Sequence, residues 1–171
     1  MKIVELDAAA VEEHADELAQ LLLDAHASNM AIGLSAPLTC ERARKEWLHL
    51  GSRLHDRSRI LLAAVDDGAV VGAVHLARAN ADNGAHRAEV QRLVVRADRR
   101  GHGIGAALLD AVATRAQELG ISLLWLTTHA DTDSDAFYVR RGWTRLGVMP
   151  EYSMRPDGTL ADNAFFHRRL G

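Results

Sequence analysis

The residues best placed to do chemistry lie in one run, Arg99-Arg100-Gly101-His102-Gly103-Ile104-Gly105-Ala106. Glycines at 101, 103 and 105 let the backbone bend so that several N–H groups face one point. An apolar strand leads into the run and an amphipathic helix leads out. The helix start adds partial positive charge, and Arg99 and Arg100 add full charge beside it. These parts make a pyrophosphate cradle. A strand–helix turn that binds nothing is the plainer alternative. A Walker A loop is excluded, because it needs Gly-Lys-Ser/Thr and Gly105 is followed by Ala106-Ala107. The dinucleotide pattern is formally met by Gly101-x-Gly103-x-x-Ala106. It calls for an acid near the end of the next strand, where this chain has Thr127-Thr128.

The cradle needs elements to hold it. Lys2 to Leu6 alternates as a short strand, and Val11 to His26 has apolar residues at helical spacing. Ser28 to Leu38 reads as a loop. Thr39 caps a second helix carrying Ala43, Trp47 and Leu50 on one side. Arg59–Val65 and Ala69–Ala77 form a hairpin about Asp66-Asp67-Gly68. Arg87 to Val95 is a further strand, and a helix runs from the glycines to Leu119, stopped by Gly120. Ile121 to Thr128 is apolar enough to be buried on both faces. Thr132 to Arg141 is a short helix. Trp143–Met149 and Ala164–Leu170 are the last strands, with a turn at Pro156-Asp157-Gly158 between them. The order predicts one α/β domain over residues 1–171.

Composition narrows the function. The chain has 171 residues, 48% hydrophobic and 25% charged, with a net charge of −3, so nothing draws it as a whole to nucleic acid or anionic membrane. The N-terminus has no apolar core of a signal peptide, and no run approaches the ~20 residues needed to span a bilayer. Cys40 is the only cysteine. No internal disulfide can form, which fits a reducing cytoplasm. Cys40 begins a helix without an identifiable base and reads as structural. The nine histidines are scattered without metal-ligand spacing, so no metal is expected.

With Val90-Gln91-Arg92-Leu93-Val94-Val95 ahead of it, Arg100-Gly101-His102-Gly103-Ile104-Gly105 resembles the acetyl-CoA motif of the GCN5-related N-acetyltransferases (GNAT), Arg/Gln-x-x-Gly-x-Gly/Ala. Ala136-Phe137-Tyr138-Val139-Arg140-Arg141-Gly142-Trp143 is similar to their Phe/Leu-Tyr-x-x-x-Gly-Phe segment. The two matches stand in the family's order, and the element order agrees from end to end. Arg87 to Leu93, Met149-Pro150-Glu151-Tyr152, the Pro-Asp-Gly turn and Ile32-Gly33-Leu34 look similar to tabtoxin-resistance-type members. Asp131, Ser134 and Thr127 depart from the patterns, which have Asn, Ala and an acid there.

The resemblance implies a mixed, mostly antiparallel central sheet flanked by helices, with a V-shaped splay between the fourth and fifth strands. It implies acetyl-CoA as cosubstrate, with the pantetheine arm on the backbone of Leu93, Val94 and Val95. The pyrophosphate would lie on the N–H groups of Gly101 to Ala106 (Gly101, His102, Gly103, Ile104, Gly105, Ala106), near Arg99 or Arg100, with Ser134 beside it. Tyr138 matches the tyrosine that protonates the departing thiolate; a phenol near pKa 10 suits a thiol near 8.5. Glu89 is the expected base, through water, and His129 competes with it. The acceptor would be a small amine, met by Gly33, Leu34, Glu151 and Tyr152. Toxin or antibiotic resistance would be a natural role. A protein amine as acceptor, or a non-catalytic acyl-CoA-binding module, is the alternative. Edge strands of such a sheet are compatible with a homodimer.

Overall fold

The computed structural model describes residues 1–171. Seven strands form one sheet: β1 (Lys2–Leu6), β2 (Arg59–Asp66), β3 (Ala69–Arg78), β4 (Arg87–Val95), β5 (Leu123–His129), β6 (Thr144–Met154) and β7 (Leu160–Arg169). Their spatial order is β1-β2-β3-β4-β5-β7-β6. Every neighbouring pair is antiparallel except β4 and β5. That parallel pair is in register only at Arg87/Leu123, Ala88/Leu124 and Glu89/Trp125. Beyond Glu89 the strands part, giving the expected splay.

Helices cover both faces. α1 (Ala8–Glu13), α2 (Ala15–Ala27) and α3 (Cys40–Gly51) lie on one, and α4 (Ile104–Glu118) and α5 (Asp133–Arg140) on the other. The first face encloses a core around Leu18, Leu22, Trp47, Leu61 and Ala73. The second encloses Leu76, Leu108, Val112, Leu124 and Phe166. Strand residues alternate between these two cores, with a change of phase in β3 between Val71 and Val74 and in β4 between Val90 and Val94, where the register shifts. Gly72 on β3 lets α4 sit down on the sheet: a Cβ there would meet Ile104 Cγ2 and Leu108 Cδ1 at 3.1 Å.

Four details depart from the sequence reading. The expected helix from Val11 to His26 is two helices meeting at His14, because the Asp7 carboxylate caps α1 separately, accepting from Ala10 N–H at 2.8 Å. Cys40 is exposed and adds nothing to the core. β4 carries a bulge at Arg92, whose φ is +49. The last hairpin is longer than expected, so Glu151 and Tyr152 fall inside β6, in a second irregularity between Met149 and Ser153.

Candidate active site

The splay leaves one edge of β4 without a strand partner from Gln91 to Val95. An extended ligand can hydrogen-bond there as a strand would. Directly above lies the start of α4. Gly101 and Gly103 have φ of +79 and +80, and nothing stands within 4 Å of the Cβ either would carry. α1, α3 and α5 are capped by the side chains of Asp7, Thr39 and Thr132. α4 starts on Gly103 with no side-chain cap. The N–H groups of residues 101–106 find no acceptor in the protein, backbone or side chain. Such donors at the positive end of a helix fit a diphosphate.

The basic turn before them is fixed from below. Asp24 accepts from Ala97 N–H at 2.7 Å. Arg100 donates through Nε to the Val95 carbonyl at 3.1 Å and through Nη1 to Ser28 Oγ at 2.7 Å. Its Nη2 has no partner. Arg99 is ion-paired with Asp66.

A cleft of about 720 Å³ runs from this cradle into the slot. Of the residues expected to hold the cofactor, Leu93, Val95, Arg99, Arg100, Gly101, Gly103, Ile104, Gly105, Ala106 and Ser134 line it. Val94 points its side chain into the α1–α3 core instead, so any share in binding falls to its backbone. His102 does not line the cleft; its Nδ1–H donates to the Arg100 carbonyl at 2.8 Å. Sequence reasoning missed Asn29, Met30 and Ala31 as part of this wall. The signal was Asn29, a residue tolerant of the left-handed conformation that ends α2, with φ +57.

A smaller cavity of about 290 Å³ adjoins the cleft through the slot. Glu89, Gln91, Arg92, Gly33 and Thr127 line it, while Leu93, Thr128, Ser134 and Tyr138 border both spaces. Three further residues expected to meet the acceptor do not line the smaller cavity. Leu34 is buried in the core with Trp47. Glu151 and Tyr152 line neither cavity, because the bulge in β6 turns them along the outer sheet.

Tyr138 stands where the two spaces meet. Its ring packs against Phe137, Trp143 and Phe166 at centroid distances of 5.3, 5.9 and 5.7 Å. Burial pushes its phenol well above the ordinary value near 10, so it keeps its proton. Burial also raises the Glu89 carboxyl, opposed by a hydrogen bond from Gln91 Nε2 at 2.6 Å and by Arg59. His129 is held below its usual value, first by burial and then by Arg155, against a hydrogen bond to the Asn29 carbonyl at 3.1 Å. It lines the larger cleft and not the smaller cavity.

The sequence model of the acetyltransferase (GNAT) family matches residues 11–143. The chain therefore belongs to that family, whose members use acetyl-CoA. A mycothiol acetyltransferase of Propionibacterium freudenreichii subsp. shermanii is 32% identical over 109 residues, 64% of this chain. The match spans only 34% of that relative's length. Solved structures share the fold over nearly the whole chain. A ribosomal-protein-alanine N-acetyltransferase from Brucella melitensis has a TM-score of 0.80 at 23% identity, covering 99% of this chain and 100% of that one. An aminoglycoside 6'-N-acetyltransferase complexed with coenzyme A has a TM-score of 0.74 at 20% identity, covering 100% and 98%.

Proposed function

We infer that this protein transfers the acetyl group of acetyl-CoA directly to the nitrogen of a small amine. The observation that carries the reading is the meeting of a cofactor-sized cleft and a smaller cavity at Tyr138. The cradle at residues 101–106 and Arg100 would hold the diphosphate, and the open edge of β4 would hold the pantetheine arm. The thioester then lies in the slot, between Tyr138 and the smaller cavity. Glu89, from that cavity, takes a proton from the ammonium through water and frees the nitrogen lone pair. The nitrogen bonds to the carbonyl carbon, the C–S bond breaks, the Tyr138 hydroxyl gives its proton to the leaving sulfur, and the second proton shed by the new amide nitrogen returns Tyr138 to its neutral form. The raised Glu89 carboxyl is a better base than a solvated one, and its place in the acceptor cavity favours it over His129.

A cavity of about 290 Å³ suits a small molecule more than a peptide segment. The resemblance of Arg87–Leu93 and Met149–Tyr152 to tabtoxin-resistance-type members supports the same choice and a role in detoxification. The test is release of free CoA thiol from acetyl-CoA in the presence of single amines, with N-terminal peptides in parallel. Turnover with small amines is expected. Turnover with peptides alone would move the reading to a protein acetyltransferase, and none with either would leave an acyl-CoA-binding module.

A further inference from the structure

We propose that the acceptor is an amine joined by a short chain to an aromatic ring, and that the ring lies on a wall made by Trp125, Phe165 and Tyr152. The proposal rests on the amine-acetyltransferase reading above and names its substrate class. α1, α2 and α3 pack on β1, β3 and β4 and stop short of the other half of the sheet. The same face of β5 and β7 is consequently open, and Trp125, Thr127 and Phe165 on it are only partly buried. Register places this wall beside the reacting groups: Glu89 pairs with Trp125, and Thr127, which lines the acceptor cavity, pairs with Phe165.

The wall has the geometry of an aromatic subsite. Tyr152 meets Phe165 edge-on, at 5.1 Å and 79°. The corner they form offers a face and an edge to a third ring. Gly147 is the residue of β6 paired with Phe165, so its strand partner on that side adds no side chain over the phenyl. The chain has only three Trp, two Tyr and three Phe. Three of these eight stand on the half of this face that no helix covers. Glu89 and Phe165 are two strand spacings apart and offset by two residues along the strand, about 12 Å in all, which an ammonium reached through water, a short chain and a ring bridge. No charged group is required of the acceptor beyond its ammonium, which Glu89 serves.

The test compares kcat/KM for 2-phenylethylamine and n-propylamine at saturating acetyl-CoA. The expected preference for the aryl amine is on the order of 10- to 100-fold, the range of a filled apolar pocket. Phe165→Ala and the more exposed Tyr152→Ala should each bring the ratio toward one, and Phe165→Leu should lower it less. The CoA-dependent rise in melting temperature should persist in all three. A wild-type ratio near one, or a ratio unmoved by the variants, overturns the proposal. So does sedimentation showing a dimer that Tyr152→Ala dissociates at an unchanged ratio, since a second copy would then own the face. Acetylation of n-propylamine without aryl preference sinks the aromatic wall alone. Acetylation of neither amine, with the CoA shift intact, sinks the amine reading and this one with it.

Discussion

The packing of Tyr138 and the proton transfer proposed for it are separable by one atom. Its ring belongs to the core with Phe137, Trp143 and Phe166. Tyr138→Phe keeps that packing and removes the proton donor. The expected result is a fall in kcat of about 10- to 10⁴-fold, with kcat/KM falling in step and the CoA thermal shift retained. Because burial holds the phenol above its ordinary value, no loss of activity from its ionisation is expected up to about pH 10. As the proposed base, Glu89 should give the opposite limb: the rate is expected to fall with acid as the carboxylate is protonated, at a pH above the ordinary Glu value of about 4.3. Glu89→Gln should abolish that limb together with most turnover. Its effect on stability has the other sign. The folded state binds the Glu89 proton more tightly than the unfolded chain, so the wild type loses stability as pH rises through the folded value. The variant should therefore melt higher than wild type at pH 7, with the gain vanishing toward pH 4. The placement of Gly101, Gly103, Gly105, Glu89 and Tyr138 around the two cavities was legible because each sits in a short run that carries its own context. Leu34, Glu151 and Tyr152 were not, because their directions depend on a loop and a bulge settled by distant packing.

At the scale of elements, α4 is the part whose sequence and geometry agree most closely. Its uncapped start looks like a fault beside the capped α1, α3 and α5, and it makes sense as a site for an anion. Gly103→Val forces a β-branched residue into left-handed backbone, at about 1–2 kcal/mol, and crowds the cradle. Calorimetry should show a lower melting temperature and little further rise with CoA. Gly105→Ala differs, because the new methyl meets Phe137 Cζ at 3.6 Å, an ordinary contact; it should fold normally and respond to CoA. Strand and helix positions up to β5 followed from periodicity and turn residues. The α1/α2 break did not, since Val11 to His26 keeps one helical stripe through His14. The bulge at Arg92 did not either. A positive φ at arginine has no local signature; it is held by Glu46, which accepts from Nη2 at 2.9 Å, and by the Trp47 ring beneath.

For the whole molecule, ligand and proton both reset stability. CoA at a hundredfold excess over its Kd should add about 2.7 kcal/mol, some 5–10 °C for a chain of this size. Absence of any shift would remove the cofactor site. On the acid side, His75 is expected to contribute to the loss of stability. It is 3% exposed, and burial, with Arg59, Arg92 and Arg53 around it, pushes its pKa down to about 3. The unfolded chain takes this proton near pH 6.5, so stability is full above that value and drains away as pH falls toward 3. Urea titrations from pH 7 to pH 4 should show a decline that His75→Gln makes shallower. A last consequence belongs to β6. This outermost strand has 11 residues and exposes Leu146, Val148, Met149 and Met154. A straight strand of that kind would recruit further chains edge to edge and seed fibrils. Two breaks in register interrupt it, and Pro150, which lacks an N–H, falls in the second. Pro150 is therefore expected to oppose edge-to-edge association of this strand. Replacing it with valine should speed the appearance of thioflavin-binding aggregates at 37 °C while leaving acetyl transfer in the surviving soluble fraction unchanged.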